Sequence, residues 1–211
     1  MPYGTPGNWP HAVQVSWLIY TKEGEKVLEQ NYYVGDNDFE ISATALRIHG
    51  LAKDFLQKNG IPRRQLLELL SKDLQQYQPM IVGHFAELDY RILGADYHRE
   101  ALDNPMEHLP TFCIMLASKH LQQNPHQKFL RLGDLYELLF KKPLLHQHNA
   151  IVDATATAEC FFELVKRNEI KSFIQPPIVF QQEEKMTWLP GWIIALLLVL
   201  LIAFIITRYY G

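Results

Sequence analysis

Three side chains in this sequence have the types and spacing to hold a cation and move a proton. His148 stands five residues before Asp153, at the opening of an alanine- and threonine-rich stretch from Asn149 to Ala158. Asp89 follows the short apolar run Met80 to Gly83. Hard divalent cations take oxygen ligands, and carboxylates are the strongest that a protein offers. A bound cation lowers the pKa of its water, and an imidazole that titrates near neutrality can take the proton. Singly, each residue has a plainer reading. An aspartate in a first helical turn answers the helix dipole, and a histidine before a helix is an ordinary loop residue. The set of three is what predicts chemistry.

Those residues need elements to place them. His11 to Tyr20 alternates, with Val13, Val15, Trp17 and Ile19 on one face, as a half-buried strand requires. Thr21 to Glu25 reads as a turn and Val27 to Val34 as a second strand, which together predict a hairpin. A polar loop, Gly35 to Glu40, follows. Leu66, Leu67, Leu70 and Leu74 predict a helix from about Arg64 to Tyr77. Pro79 to Gly83 fits a buried strand, and Leu88, Ile92 and Ala95 predict a helix after it. Thr111 to Ala117 fits strand or helix. Leu132, Leu135, Tyr136 and Leu139 mark another helix. The last runs from about Asn149 to Lys166, with Ile151, Ala154, Ala158, Phe161, Phe162 and Val165 on its buried face. On that helix Asp153 lies about 200° around from Ile151, free to face a cleft. A hairpin followed by alternating helices and strands predicts an α/β fold around a mixed sheet.

Composition sets bounds. The 211 residues are enough for one domain and an appendage. The net charge of -3 does not mark the whole chain as a polyanion binder, although bound metal ions can supply local positive charge to a phosphate. Two cysteines, Cys113 and Cys160, make neither a disulfide framework nor a zinc pattern. Met1 to Gly7 has no basic start and no apolar run, so it does not read as a signal peptide. Every residue from Trp192 to Ile206 is apolar. With Trp188 and Leu189 the run reaches the roughly 20 residues that cross a ~30 Å hydrocarbon layer. Trp188 and Trp192 at one end, with Tyr209 and Tyr210 at the other, are interfacial aromatics. The expected organisation is a domain over residues 1–170, a linker over 171–187 and a transmembrane tail anchor over 188–207. Lys166, Arg167, Lys171 and Lys185 precede the span and Arg208 follows it, which places the domain on the cytoplasmic side of the membrane.

In order, these segments resemble the DEDD superfamily of 3′–5′ exonucleases, in the branch with a histidine base. They are similar to the proofreading exonuclease subunit of bacterial DNA polymerase III and its stand-alone relatives. The matching stretches run from about Asn8 to Lys166. Asn8-Trp9-Pro10 through Trp17 resembles the family's second strand. Ala45 with Ile48-His49-Gly50-Leu51 resembles its Ile-His-Gly-Ile stretch, and Val82-Gly83-His84 through Asp89 its second motif. His148 to Asp153 matches the His-x4-Asp motif. The resemblance implies a ribonuclease H-like mixed sheet with flanking helices. It implies Asp89 and Asp153 as metal ligands, His148 as general base, and two Mg²⁺ or Mn²⁺ ions. It implies release of nucleoside monophosphates from DNA or RNA 3′ ends. It puts His49, Gly50 and His84 on the substrate side, a plain turn residue being an equal reading of His49. It leaves a polymerase or other protein partner open.

The sequence departs from the family in two places. Phe85 stands where the family has Asn, and Leu88 where it has Phe. The family's first motif, Asp-x-Glu on the first and central strand, would precede Asn8 and does not occur there, so two metal-holding carboxylates and that strand are lacking. Asp38-Phe39-Glu40 has the spacing, but it falls after the second strand and reads as a solvated loop. Two expectations compete: an active exonuclease written without its first segment, or an inactive, membrane-anchored module that binds nucleic acid or protein. Backbone groups left unpaired beside a lost central strand favour the first.

Overall fold

The hairpin forms as its alternation predicts. In the computed structural model, which describes Tyr3, Gly7 and residues 9–36, 38–122 and 127–170, β1 (Gln14–Tyr20) pairs antiparallel with β2 (Lys26–Tyr33). Gln14 stands opposite Tyr33, and the register slips at Ile19/Tyr20. Val34 extends β2 into a parallel bridge with Ile61, which covers part of β2's far edge. Linker 171–187 and the expected span 188–207 lie outside the described residues. Among the described residues no helix is long and apolar enough to cross a membrane.

After the hairpin come α1 (Ala43–His49), α2 (Lys53–Asn59) and α3 (Arg63–Tyr77). The first two were not legible in the sequence. Ser42 caps α1 by accepting the Ala45 N–H at 3.1 Å, and Gly50 ends it in the left-handed region at φ 71°. Helix α3 buries Leu66, Leu67, Leu70 and Leu74, as its periodicity predicts. Then follow β3 (Ile81–Gly83), α4 (Ala86–Arg99) and a short 3₁₀ turn, Pro105–His108. The ambiguous stretch Thr111 to Ala117 is both things in turn: strand β4 (Thr111–Cys113), then the single helical turn α5 (Ile114–Ala117). Helices α6 (Leu132–Phe140) and α7 (Ala150–Lys166) complete the described chain. All of these elements fall within one unit, Pro2–Val179.

The expected α/β fold with parallel and antiparallel strands is present, and its strands lie in two parts. Among the described residues there are two sheets of two strands each, β1-β2 antiparallel and β3-β4 parallel. Ile81 pairs with Thr111, Val82 with Phe112 and Gly83 with Cys113. Both β1 and β3 pack against α7 without bonding each other, and both line one cleft. The hydrophobic core is divided in the same way. One cluster gathers Phe112, Leu135, Cys160, Phe161 and Leu164. The other gathers Val15, Leu66, Leu67, Leu70 and Tyr97. Val82 packs against the first and Ile81 against the second, as alternate residues of one strand must.

The cleft explains a mismatch on α7. Its sequence pattern calls for Ala154, Ala158, Phe162 and Val165 on the buried face. All four are half-buried and line the cleft, while Ala156, Cys160, Phe161 and Leu164 are buried. The apolar stripe is wider than the helix's contact with either sheet.

Candidate active site

The start of α7 is fixed by β1. Asn149 caps the helix, its Oδ1 accepting the Ile151 N–H at 3.3 Å. Gln14, the first residue of β1, accepts the Ala150 N–H at 3.1 Å and donates to Asn149 Oδ1 at 3.2 Å. These bonds tie the α7 N-terminus to the first residue of the hairpin. Asp153 then sits in the first turn, where Oδ2 accepts the His148 backbone N–H at 3.0 Å. That bond closes the loop around Asn149, and His148 takes a left-handed conformation, φ 68°, to make it. The His148 side chain is exposed beside the carboxylate.

Asp89 arrives from the other side. It lies in the first turn of α4, which folds back closely on the end of β3. A side chain at Gly83 would meet Ala86 Cβ at 3.0 Å and Asp89 Oδ2 at 3.5 Å, so glycine permits the approach. Phe85 makes the turn between them at φ 65°, a conformation that disfavours a bulky residue. Asp89 is an exposed residue of the cleft wall, with protein packed around its carboxylate. That surrounding protein pushes its pKa up to about 7, and the negative charge of Asp153 adds to the shift. Asp153 is itself raised by burial, against the opposing pull of the His148 N–H and of the His148 side chain. The two carboxylates are close enough to sense each other, and all three residues line the same cleft.

The remaining sequence candidates divide. His49 lines the cleft, with Nδ1 accepting the Leu51 N–H at 3.0 Å, and burial lowers its pKa. Gly50 is not part of the wall; it is the turn that presents His49 and Leu51. His84 lines the cleft and bonds the Leu130 backbone, which leaves its Nε2 buried without a partner among the described residues. Asp38-Phe39-Glu40 lies in a loop with Asp38 and Glu40 exposed, as read from the sequence, and it also makes contacts that the sequence did not show. Asp38 makes two bonds to the buried Arg63, at 2.7 and 3.0 Å. Phe39 stacks on His11 with ring centroids 4.5 Å apart, and Glu40 pairs with Lys53 at 3.0 Å. These contacts tie an exposed loop to Arg63, His11 and Lys53.

Sequence reasoning missed one feature of the cleft outright and misread another. Arg131 stands exposed on its wall, a free-reaching cation with no pattern in the sequence to mark it. Ile48, Phe85 and Leu88 form an exposed apolar rim. Phe85 and Leu88 were visible only as departures from a motif.

Asp89 and Asp153 fit a hard divalent cation in kind: two mutually repelling carboxylates in a cleft are relieved by a positive ion. They fall short in number. Among the described residues no group of three or more His, Cys, Asp or Glu side chains is gathered as a metal cage.

Neither a family model nor a curated protein sequence matches this chain. Solved structures do. A 3′-exonuclease that recognises the 3′ end of a histone mRNA stem-loop superposes with a TM-score of 0.59 at 13% identity, over 79% of this chain and 78% of that one. A full-length 3′-exonuclease gives 0.62 at 13% identity, over 79% and 77%. E. coli exonuclease I, in complex with a 5cy-dT13 oligonucleotide, gives 0.63 at 13% identity, over 80% of this chain and 40% of that larger one. The chain shares the fold of these 3′-exonucleases.

Proposed function

We propose that the chain is a metal-dependent 3′–5′ exonuclease of the DEDD type with a histidine base, held at a membrane by residues 188–207. The observation that supports this most is the convergence of Asp89, His148 and Asp153 in one cleft of an exonuclease-like fold. In this reading Asp89 and Asp153 hold divalent cations, Mg²⁺ or Mn²⁺. A bound cation would activate water and offset charge at the scissile phosphate. His148 accepts the proton of the attacking water, its ring kept beside the cleft by the backbone bond to Asp153. Phe85 stacks against a terminal base, with Ile48 and Leu88 packing apolar surface beside it, which suits single strands of any sequence. Arg131 meets the backbone phosphates, and His49 and His84 stand on the substrate side.

One observation favours a second reading. Two carboxylates are few for a catalytic cation site, as expected of a silent module that binds nucleic acid or protein without cutting it.

The separating experiment uses the full chain and a 5′-labelled single strand, of DNA and of RNA, at millimolar Mn²⁺. Stepwise shortening from the 3′ end, abolished by Asp153→Ala and by His148→Ala, is the expected result. Shortening that survives both substitutions would remove the site assignment, and metal-independent binding without shortening would establish the silent module. For the tether, protection of the domain from external protease in sealed right-side-out vesicles is expected; its digestion there would contradict a cytoplasmic face.

A further inference from the structure

We propose that the face formed by the α6–α7 loop and the end of α7 docks on an anionic lipid surface, with Lys141, Lys142 and Lys166 against the headgroups and Leu145 entering between them. The proposal rests on the membrane tether proposed above and not on the nuclease reading.

Four observations carry it. First, Leu145 is 66% exposed, the highest value of any large apolar residue among the described ones. Its neighbour Leu144 packs against the core, and Gln147 donates to the Leu144 carbonyl at 3.1 Å, so the loop is anchored and holds Leu145 outward. An apolar side chain held in water gains free energy wherever an apolar phase is within reach. Second, its surroundings are basic. No Asp or Glu occurs from Leu138 to Val152, although the whole chain has a net charge of -3. Lys141, Lys142 and His146 flank Leu145, and all three are exposed. Lys26 and Lys53 pair with glutamates, whereas Lys141 and Lys142 pair with no carboxylate among the described residues. Glu159, Glu163 and Glu169 nearby are engaged, by Tyr136, by Lys166 and Arg167, and by His120. Third, the loop and the end of α7 form one face. Arg167 donates to the Leu139 carbonyl at 2.5 Å and lines a small pocket with Lys141. The Lys166 side chain is 80% exposed beside them. Fourth, the chain continues from this end of α7 toward its apolar run. Residues 171–187 can span no more than about 60 Å, and a tether of that kind raises the effective concentration of the surface, so a weak face suffices.

The chemistry of the face suits lipid better than a nucleic acid strand. A strand is held by cations interleaved with aromatic rings that are open to its bases. Lys142 does lie over two rings, Tyr136 at 5.6 Å and Phe140 at 6.0 Å, but Tyr136 is buried and Phe140 half-buried beneath it. What the face presents is an aliphatic side chain among cations, the pattern that enters a headgroup region. Each lysine close to an anionic leaflet should raise the docked population about fivefold. A tether alone leaves the domain free to turn. Leu145 stands three residues before His148, so the docked face would fix the domain with the His148 edge of the cleft toward the bilayer.

The test uses the full chain with Leu145→Cys carrying a nitroxide, a selective label because Cys113 and Cys160 are buried. The chain is reconstituted in vesicles of phosphatidylcholine alone and of phosphatidylcholine with phosphatidylserine. Electron paramagnetic resonance then gives the ratio of immobilised to mobile label. Phosphatidylserine is expected to raise that ratio at least tenfold, and Lys141→Gln/Lys142→Gln to lower it again at least tenfold. High salt should lower it as well. The immobilised label should be relaxed more by oxygen than by a water-soluble nickel chelate, as inside lipid. Equal ratios in the two vesicle types, a ratio unmoved by the lysine substitutions, or stronger relaxation by the nickel chelate would overturn the docking face. So would immobilisation by a dT oligonucleotide in neutral vesicles, which would make a strand the partner. Retention of the chain by neutral vesicles after alkaline extraction reads the tether separately. Loss there would remove the tether, and the same comparison made with vesicles in excess would still decide the face.

Discussion

Replacing Arg63 by Met should cost the fold about 3 kcal/mol, the lower end of the range for breaking a buried ion pair. Arg63 is 2% exposed and serves four groups. It bonds Asp38 twice and Glu100 at 3.3 Å, lies 3.5 Å from Asp96, and stands over the Phe39 ring at 5.7 Å. These partners differ in what they lose. Asp38 is half-exposed and would rehydrate, so its bond contributes no more than about 1 kcal/mol. Asp96 is 1% exposed and cannot rehydrate. It keeps Arg99 at 2.6 Å and the Ala12 N–H at 3.2 Å, which holds the cost below the upper end of the range. Urea denaturation followed by circular dichroism measures the loss. Arg63→Met with Asp96→Asn should recover part of it, because the stranded charge is gone and the two sites couple. A loss under about 1 kcal/mol for Arg63→Met, or a double variant less stable than the sum of the singles, would refute the view that this cluster locks the loop after β2 onto α3 and α4.

Other consequences are more local. In the metal-free chain Asp89 has a folded pKa of about 7, above its unfolded value near 3.8. A raised carboxyl favours the folded state while it is protonated, so the contribution of Asp89 to stability should be greatest below about pH 4 and decline as pH rises to about 7. Asp89→Asn should remove that decline, read as the difference between the two denaturation midpoints across the window; parallel pH profiles would contradict it. Asn149→Ala should cost about 1 kcal/mol as a lost cap and also loosen Asp153, so Mn²⁺ affinity should fall along with stability in a titration. A stability loss with unchanged affinity would separate the cap from the site. Gly60→Ala should be severely destabilising, since its Cβ would stand 2.5 Å from Gly35 N and 2.7 Å from Leu56 O; a thermal midpoint within a degree or two of the parent would contradict that packing.

Much of this architecture is legible in the residues. The hairpin followed from alternation in Val13 to Ile19, and α3 and α7 from apolar spacing. The proximity of His148 to Asp153 followed from a five-residue interval at a helix start. Asp89 needed more than local pattern: a three-residue strand, a glycine and a left-handed Phe85 bring it to the cleft. Helices α1 and α2 were missed because α1 buries none of its residues and α2 buries Leu56 alone, so neither has an apolar stripe to read. The role of Asp38 was missed because its partner is 25 residues away, and local sequence carries no trace of an ion pair across that distance. The division of the sheet is not carried by any one strand's pattern, since each is complete by itself and its neighbour is decided by the whole fold.

The central claim is that Asp89 and Asp153 face one cation beside His148. Mn²⁺ binding to the full chain, read by electron paramagnetic resonance at pH 8, tests it without requiring turnover. Saturable binding, weakened at least tenfold by Asp89→Asn or by Asp153→Asn, is the predicted result. Binding of equal strength in the Asp89→Asn/Asp153→Asn double variant would contradict it.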